Sequence, residues 1–173
     1  MKPILYTLLA GFFVLAGLSH TNAQSSTTTY ILVRHAEKDT SKAGSTMMQS
    51  DPELSPEGKK RAEKLITALK DYKADAVYST NFIRTKSTVL PFATERHMDI
   101  QVYDARNLKG FAEELKALKG KTVVVAGHSN TIPLLANLLI GQNKYQPLDE
   151  SVYNKIFIVR VTDGVPTCEI IEY

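Results

Sequence analysis

The chain has 173 residues, with 21 Lys and Arg against 18 Asp and Glu, a formal charge of +3 at pH 7 with neutral histidines. So mild a balance, with lysines scattered among acids, argues against a nucleic-acid groove or a polybasic membrane patch. The single cysteine, Cys168, excludes an intrachain disulfide, and its place in an apolar terminal run predicts a buried structural thiol.

The first element is an apolar stretch from Ile4 to Leu18 behind Lys2, followed by small residues at Thr21 and Ala23. It predicts a secretory signal peptide over residues 1–23, cut before Gln24, because the run is shorter than the roughly 20 residues of a membrane span. Retention as an anchor is the alternative. Residues 24–173 then make one domain, exported to the periplasm or the medium and without stable membrane insertion once the leader is removed. A Ser/Thr stretch from Ser25 to Thr29 reads as a tether.

From Thr28 onward short β-like runs alternate with helical patterns, the signature of βαβ units. Strands are predicted at Tyr30 to Val33, Ala76 to Ser79, Ile100 to Tyr103 and Thr122 to Ala126; the last, apolar almost throughout, reads as covered on both faces. The first helix takes Ser55 as N-cap and Pro56 at its first position, then sets Ala62, Leu65, Ile66 and Leu69 on one face. A second is predicted from about Asn81 to Thr94, a third from Phe111 to Leu118, and a fourth, apolar nearly all round, from Thr131 to Ile140. Lys155 to Val161 and Val165 to Ile171 flank Asp163-Gly164, a hairpin signal. The fold class is therefore α/β: three layers, a mostly parallel central sheet and an antiparallel C-terminal edge hairpin.

In an open α/β sheet, ligands bind outside the carboxyl ends of the strands. Arg34 and His35 follow the first strand, Arg84 lies one turn beyond the second, Asp104 follows the third, and Gly127-His128 follows the fourth. Two arginine forks and a donating histidine make a cage for a phosphoryl group. Helix N-termini after Ser79-Thr80-Asn81 and after His128-Ser129-Asn130 would add backbone donors, and Gly127 would let the backbone approach closely. Ser129 and Asn130 read as helix caps, and His97 as a surface residue at a helix end. A histidine nucleophile needs no separate base, and either His35 or His128 has the position for it. The leaving oxygen needs a proton from an acid with a raised pKa; Asp104 is the first choice and Glu37 the second. The segment from Asp39 to Pro52 is expected to fold over the site. No metal-ligand motif is present, so neither metal nor other cofactor is expected.

Arg34-His35-Ala36-Glu37, Ser79 to Thr88 and Gly127-His128-Ser129-Asn130, in this order and each after a strand, resemble the histidine phosphatase superfamily, also called phosphoglycerate mutase-like, in its small single-domain branch. The resemblance covers about Thr28 to Val161. It implies a phosphohistidine intermediate on His35, with Arg34, Arg84 and His128 holding the phosphate. Tyr103-Asp104 stands where the family often has a glutamate donor, a departure from the pattern. The expected activity is metal-independent hydrolysis of a small phosphorylated substrate. Alternatives are a phosphohistidine phosphatase acting on phosphoprotein and a phosphoanion-binding module without turnover.

Overall fold

A computed structural model of the chain describes residues 26–41 and 51–173. The expected leader, and residues 42–50 of the loop expected over the site, lie outside the described residues. Six strands form one sheet: β1 (Thr27–Arg34), β2 (Ala76–Ser79), β3 (Ile100–Val102), β4 (Thr122–Gly127), β5 (Lys155–Thr162) and β6 (Val165–Glu172). Their spatial order is β3-β2-β4-β1-β5-β6. β4 is parallel to both β1 and β2, and β2 to β3, whereas β5 is antiparallel to β1 and to β6. Helices α1 (Pro56–Ala68), α2 (Ile83–Glu95), α3 (Leu108–Ala117) and α4 (Thr131–Ile140) connect them.

Alternation along β1 divides the core. Ile31 and Val33 pack with Leu65 of α1 and with Val89 and Phe92 of α2. Tyr30 and Leu32 face the other way, onto Phe111 and Leu115 of α3 and Ile132 and Leu135 of α4. This is the predicted three-layer arrangement. β4 is buried from Val123 to Gly127, as its unbroken apolar run required. At the far edge, Asp163 and Gly164 both take positive φ, 51° and 83°, the combination that a two-residue type I′ turn needs. Cys168 lies on that edge strand and is only half-buried, because the outer face of β6 has no layer over it.

The element ends differ from expectation where side chains outside the periodic pattern do the capping. Ser55 caps α1 as predicted, its hydroxyl accepting from the Gly58 amide. α3 starts three residues early, at Leu108: Asp104 caps a short 3₁₀ turn over Ala105–Asn107, and Asn107 then caps the helix. Asn130 takes the N-cap position of α4, as expected, but its side chain makes no capping hydrogen bond. Thr131 Oγ1 accepts from the His128 amide instead, and Ser129 Oγ turns to the Glu150 carboxylate. His97 is exposed just past the end of α2, as expected.

Residues 37–39 and 53–55 close the neck of the loop after β1, with Asp39 N–H donating to Glu53 O and Ser55 N–H to Glu37 O. Gly58 sits directly under this neck: a Cβ there would lie 2.2 Å from the Glu37 carbonyl oxygen. Gly58→Ala should therefore push back the backbone two residues from His35 and cost about 1–3 kcal/mol, read as a lower urea midpoint with unchanged m. A midpoint equal to wild type would show that the neck yields freely.

Candidate active site

The sheet register builds the site. Arg34 pairs with Gly127 and Ser79 with Ala126, so the residues that leave β1, β4 and β2 at their carboxyl ends are His35, His128 and Thr80, side by side. The His35 and His128 rings meet edge to face, centroids 5.5 Å apart. His35 N–H donates to Gly127 O, and Ala36 N–H donates to Thr88 Oγ1, which itself donates to Arg84 O. The strand-β1 loop is thus bonded to the strand beside it and to α2.

His35 Nδ1 lies 2.8 Å from Ala36 O, which can only accept, so Nδ1 carries the hydrogen and Nε2 keeps its lone pair. Burial lowers the His35 pKa to about 3, with Arg34, Arg84 and His128 adding to the effect against the opposing Ala36 hydrogen bond. His128 is lowered to about 4 by burial and by Arg84 and Arg34, with Asp51 pulling the other way. Both rings are neutral at neutral pH. Their charged forms are favoured in the unfolded chain, where the ordinary value is 6.5, so acidification through the window from 6.5 down to about 4 protonates that state first. Thermal stability should fall across this window, and the fall should be smaller in His128→Ala; a Tm independent of pH there would contradict burial as the cause.

The arginines converge on the two imidazoles, but neither is an open fork. Arg34, 1% exposed, donates from Nη1 to the carbonyls of Asp149, Glu150 and Val152, and from Nη2 to Glu150 Oε2 at 2.9 Å. The Tyr153 ring lies 4.1 Å from its guanidinium carbon. The turn before β5 takes the donors of both terminal nitrogens, and only the buried Nε has no partner among the described residues. Arg84 stands over the Phe82 ring, 4.4 Å from its centroid, and its Nη1 lies 3.3 Å from Asp51 Oδ1.

Neither expected proton donor carries a raised pKa. Asp104 is half-exposed, and hydrogen bonds from the Arg106 side chain and amide hold its carboxyl below the usual range. For Glu37, burial pushes upward, but three hydrogen bonds from the Arg61 guanidinium outweigh it and leave the pKa lowered. An acid clamped by a guanidinium is held as its carboxylate. Gly127 also has a different task from the one predicted. A Cβ there would meet the Tyr103 hydroxyl, Ile132 and Thr131 within 2.9 Å, so the close approach it permits is that of these side chains.

The sequence does not single out four further contributors, although Thr80 and Phe82 lie inside the Ser79 to Thr88 motif and Asp51 inside the Asp39 to Pro52 segment. Thr80 Oγ1 bonds His128 Nε2 at 3.1 Å and Thr85 Oγ1 at 2.8 Å, and Phe82 sets its ring edge to face against His128. Tyr153 lies 6.1 Å from the His35 ring, centroid to centroid. Asp51 accepts the Ile83 amide with both carboxylate oxygens, each at 2.9 Å, and so caps α2 where Ser79-Thr80-Asn81 were expected to leave free donors. Beside Thr80 and Phe82 a cavity of about 650 Å³ opens, walled by Val102, Tyr103, Asp104 and Arg106.

Residues 30–105 match the model of the histidine phosphatase superfamily, branch 1. This segment, from β1 to the turn after β3, belongs to this superfamily. A segment of 70 residues is 37% identical to phosphoserine phosphatase 1 of Hydrogenobacter thermophilus, 40% of this chain and 33% of that relative's length. In overall fold, the chain is similar to phosphoserine phosphatase from Entamoeba histolytica in complex with 3-phosphoglyceric acid, with TM-score 0.67 at 16% identity over 84% of this chain and 98% of that one. The α-ribazole phosphatase of Shigella flexneri gives TM-score 0.67 at 13% identity over 84% and 96%. The protein histidine phosphatase SixA complexed with tungstate gives 0.63 at 16% identity over 83% and 96%. The histidine phosphatase match contains Arg34, His35 and Arg84; His128 lies beyond it and joins them through the β1-β4 register.

Proposed function

We propose that this histidine phosphatase domain is a metal-independent phosphomonoesterase acting through a phosphohistidine on His35. The observation that carries the reading is the tautomer: Nδ1–H bonded to Ala36 O leaves the Nε2 lone pair of a neutral, buried imidazole ready for attack. A phosphoryl group beside Nε2 would find the positive charge of Arg84 and Arg34 and the unpartnered Arg34 Nε–H, whose burial without an acceptor costs about 1–3 kcal/mol until one arrives. When the N–P bond forms, the positive charge on the ring is shared with Nδ1–H, which the Ala36 carbonyl already faces. Small phosphorylated substrates fit the cavity beside Thr80 and Phe82, in keeping with the phosphoserine phosphatase relative. The guanidinium pairs on Glu37 and Asp104 favour a second reading, a phosphohistidine on protein, whose imidazole leaving group has less need of an acid. Export belongs to the same proposal and rests on the pattern of residues 1–23.

The test is release of p-nitrophenol from p-nitrophenyl phosphate in EDTA, with denaturing quench to trap an acid-labile, alkali-stable phosphoenzyme mapped to His35. Intact phosphate binding with neither product nor phosphoenzyme would leave the domain a binding module.

A further inference from the structure

We infer that Asp51 is the proton donor to the leaving oxygen, a role that rests on the phosphomonoesterase reading above. Three observations place it there. Its carboxylate sits on the α2 N-terminal amide of Ile83 and on Arg84, which with Arg34 is one of two arginines whose charge reaches both imidazoles. It lies close enough to His128 to act on it electrostatically. The amide it holds follows Phe82, which lines the cavity where a leaving group would rest.

The other carboxylates of the neighbourhood are placed differently. Glu37 and Asp104 are clamped by Arg61 and Arg106. Glu150, 72% exposed in its side chain, bonds Arg34 and Ser129 and does not line the cavity. Among the described residues, Arg84 from α2 and His128 from the β4-α4 loop act on Asp51.

In the described state Asp51 occupies donors that an incoming phosphoryl group also needs, the Ile83 amide and Arg84. A phosphoryl dianion arriving there competes with Asp51 for these donors, and Asp51 takes up a proton from water as the substrate binds. The His35 Nε2 lone pair then forms the N–P bond while the P–O bond breaks. Its electron pair goes to the leaving oxygen, which takes the Asp51 proton and departs as the alcohol. In the second half, water attacks phosphorus, gives its proton to the Asp51 carboxylate, and the N–P pair returns to Nε2 as phosphate leaves.

The experiment compares Asp51→Asn with wild type on glycerol 2-phosphate, whose alkoxide needs the proton, and on p-nitrophenyl phosphate, whose phenolate needs it far less. The expected result is a fall in kcat/KM of about 100-fold or more on the alkyl ester, with a loss at least tenfold smaller on the aryl ester. Asp51→Glu should recover part of the alkyl activity, which a purely structural cap would not predict. Glu150→Gln should lower both substrates by the same factor. Equal losses on both esters in Asp51→Asn, alkyl turnover within a few fold of wild type, or the selective loss appearing in Glu150→Gln instead would each overturn the assignment. Wild type inactive on both esters, without phospho-His35, would sink the phosphatase reading and this role with it. Wild type active on both, with Asp51→Asn unselective, would remove Asp51 alone.

Discussion

Replacing His35 by alanine is expected to lower turnover of p-nitrophenyl phosphate by on the order of ten-thousand-fold or more and to abolish the phosphoenzyme, with little change in the fold. The ring is buried, yet among the described residues its only hydrogen bond runs to the adjacent Ala36 carbonyl, so its removal breaks no long-range hydrogen bond and loses only ring contacts with His128 and Tyr153. The neck of the β1 loop stays held by His35 N–H to Gly127 O and Ala36 N–H to Thr88 Oγ1, both main-chain donors. Burst kinetics and phosphoenzyme trapping check the first part, and a urea melt the second. Residual turnover within about a hundredfold of wild type, together with a phosphoenzyme mapped to His128, would exchange the roles of the two imidazoles. The register argument allows that exchange; the tautomer argues against it, because His128 Nε2 is engaged by Thr80 Oγ1.

Arg34→Ala is expected to produce the largest loss of stability, about 3–5 kcal/mol, because it empties the space of a fully buried side chain and strips three carbonyls of their common donor. Three carbonyls of the turn before β5 would lose their common donor, Glu150 would lose its partner, and Tyr153 the guanidinium against its ring. Activity should fall as well, since this turn carries Tyr153 beside His35. Arg34→Lys should restore only part of the stability, because an ammonium cannot reproduce the planar fork that meets the carbonyls and Glu150 together. The measurement is the urea unfolding midpoint of each variant. A loss below about 1 kcal/mol in Arg34→Ala would show that the turn holds its own shape, and would return Arg34 to a role in phosphate binding alone.

The expectation of an arginine cage around a phosphoryl group thus needs restating for this member of the family. Arg34 has a structural duty that occupies its terminal nitrogens, and Arg84 already holds a carboxylate. The described state is a site whose positive charge is partly neutralised by its own loops, Asp51 from one side and Glu150 from the other. A substrate must compete with these carboxylates.

By itself, the sequence determined the elements and the two histidines. Period-two and period-3.6 patterns are local, so the β1, β4, α1 and α4 assignments needed nothing beyond the residues between their ends, and Ser55-Pro56 and Asp163-Gly164 carry their caps and turns within a few positions. That His35 and His128 meet also followed, because each is the first residue past a buried parallel strand. Tertiary structure alone decided the partners. Arg34 to the turn at 149–152, Glu37 to Arg61, Asp51 to Ile83 and Arg84, and Tyr153 to His35 join residues 24 to 118 positions apart, and no periodicity records which carboxylate reaches which guanidinium. Neither acid that the sequence offers as a proton donor carries a raised pKa for this reason: what tunes an acid is the charge and burial around it, and those are set by segments folded against it rather than by its neighbours in the chain.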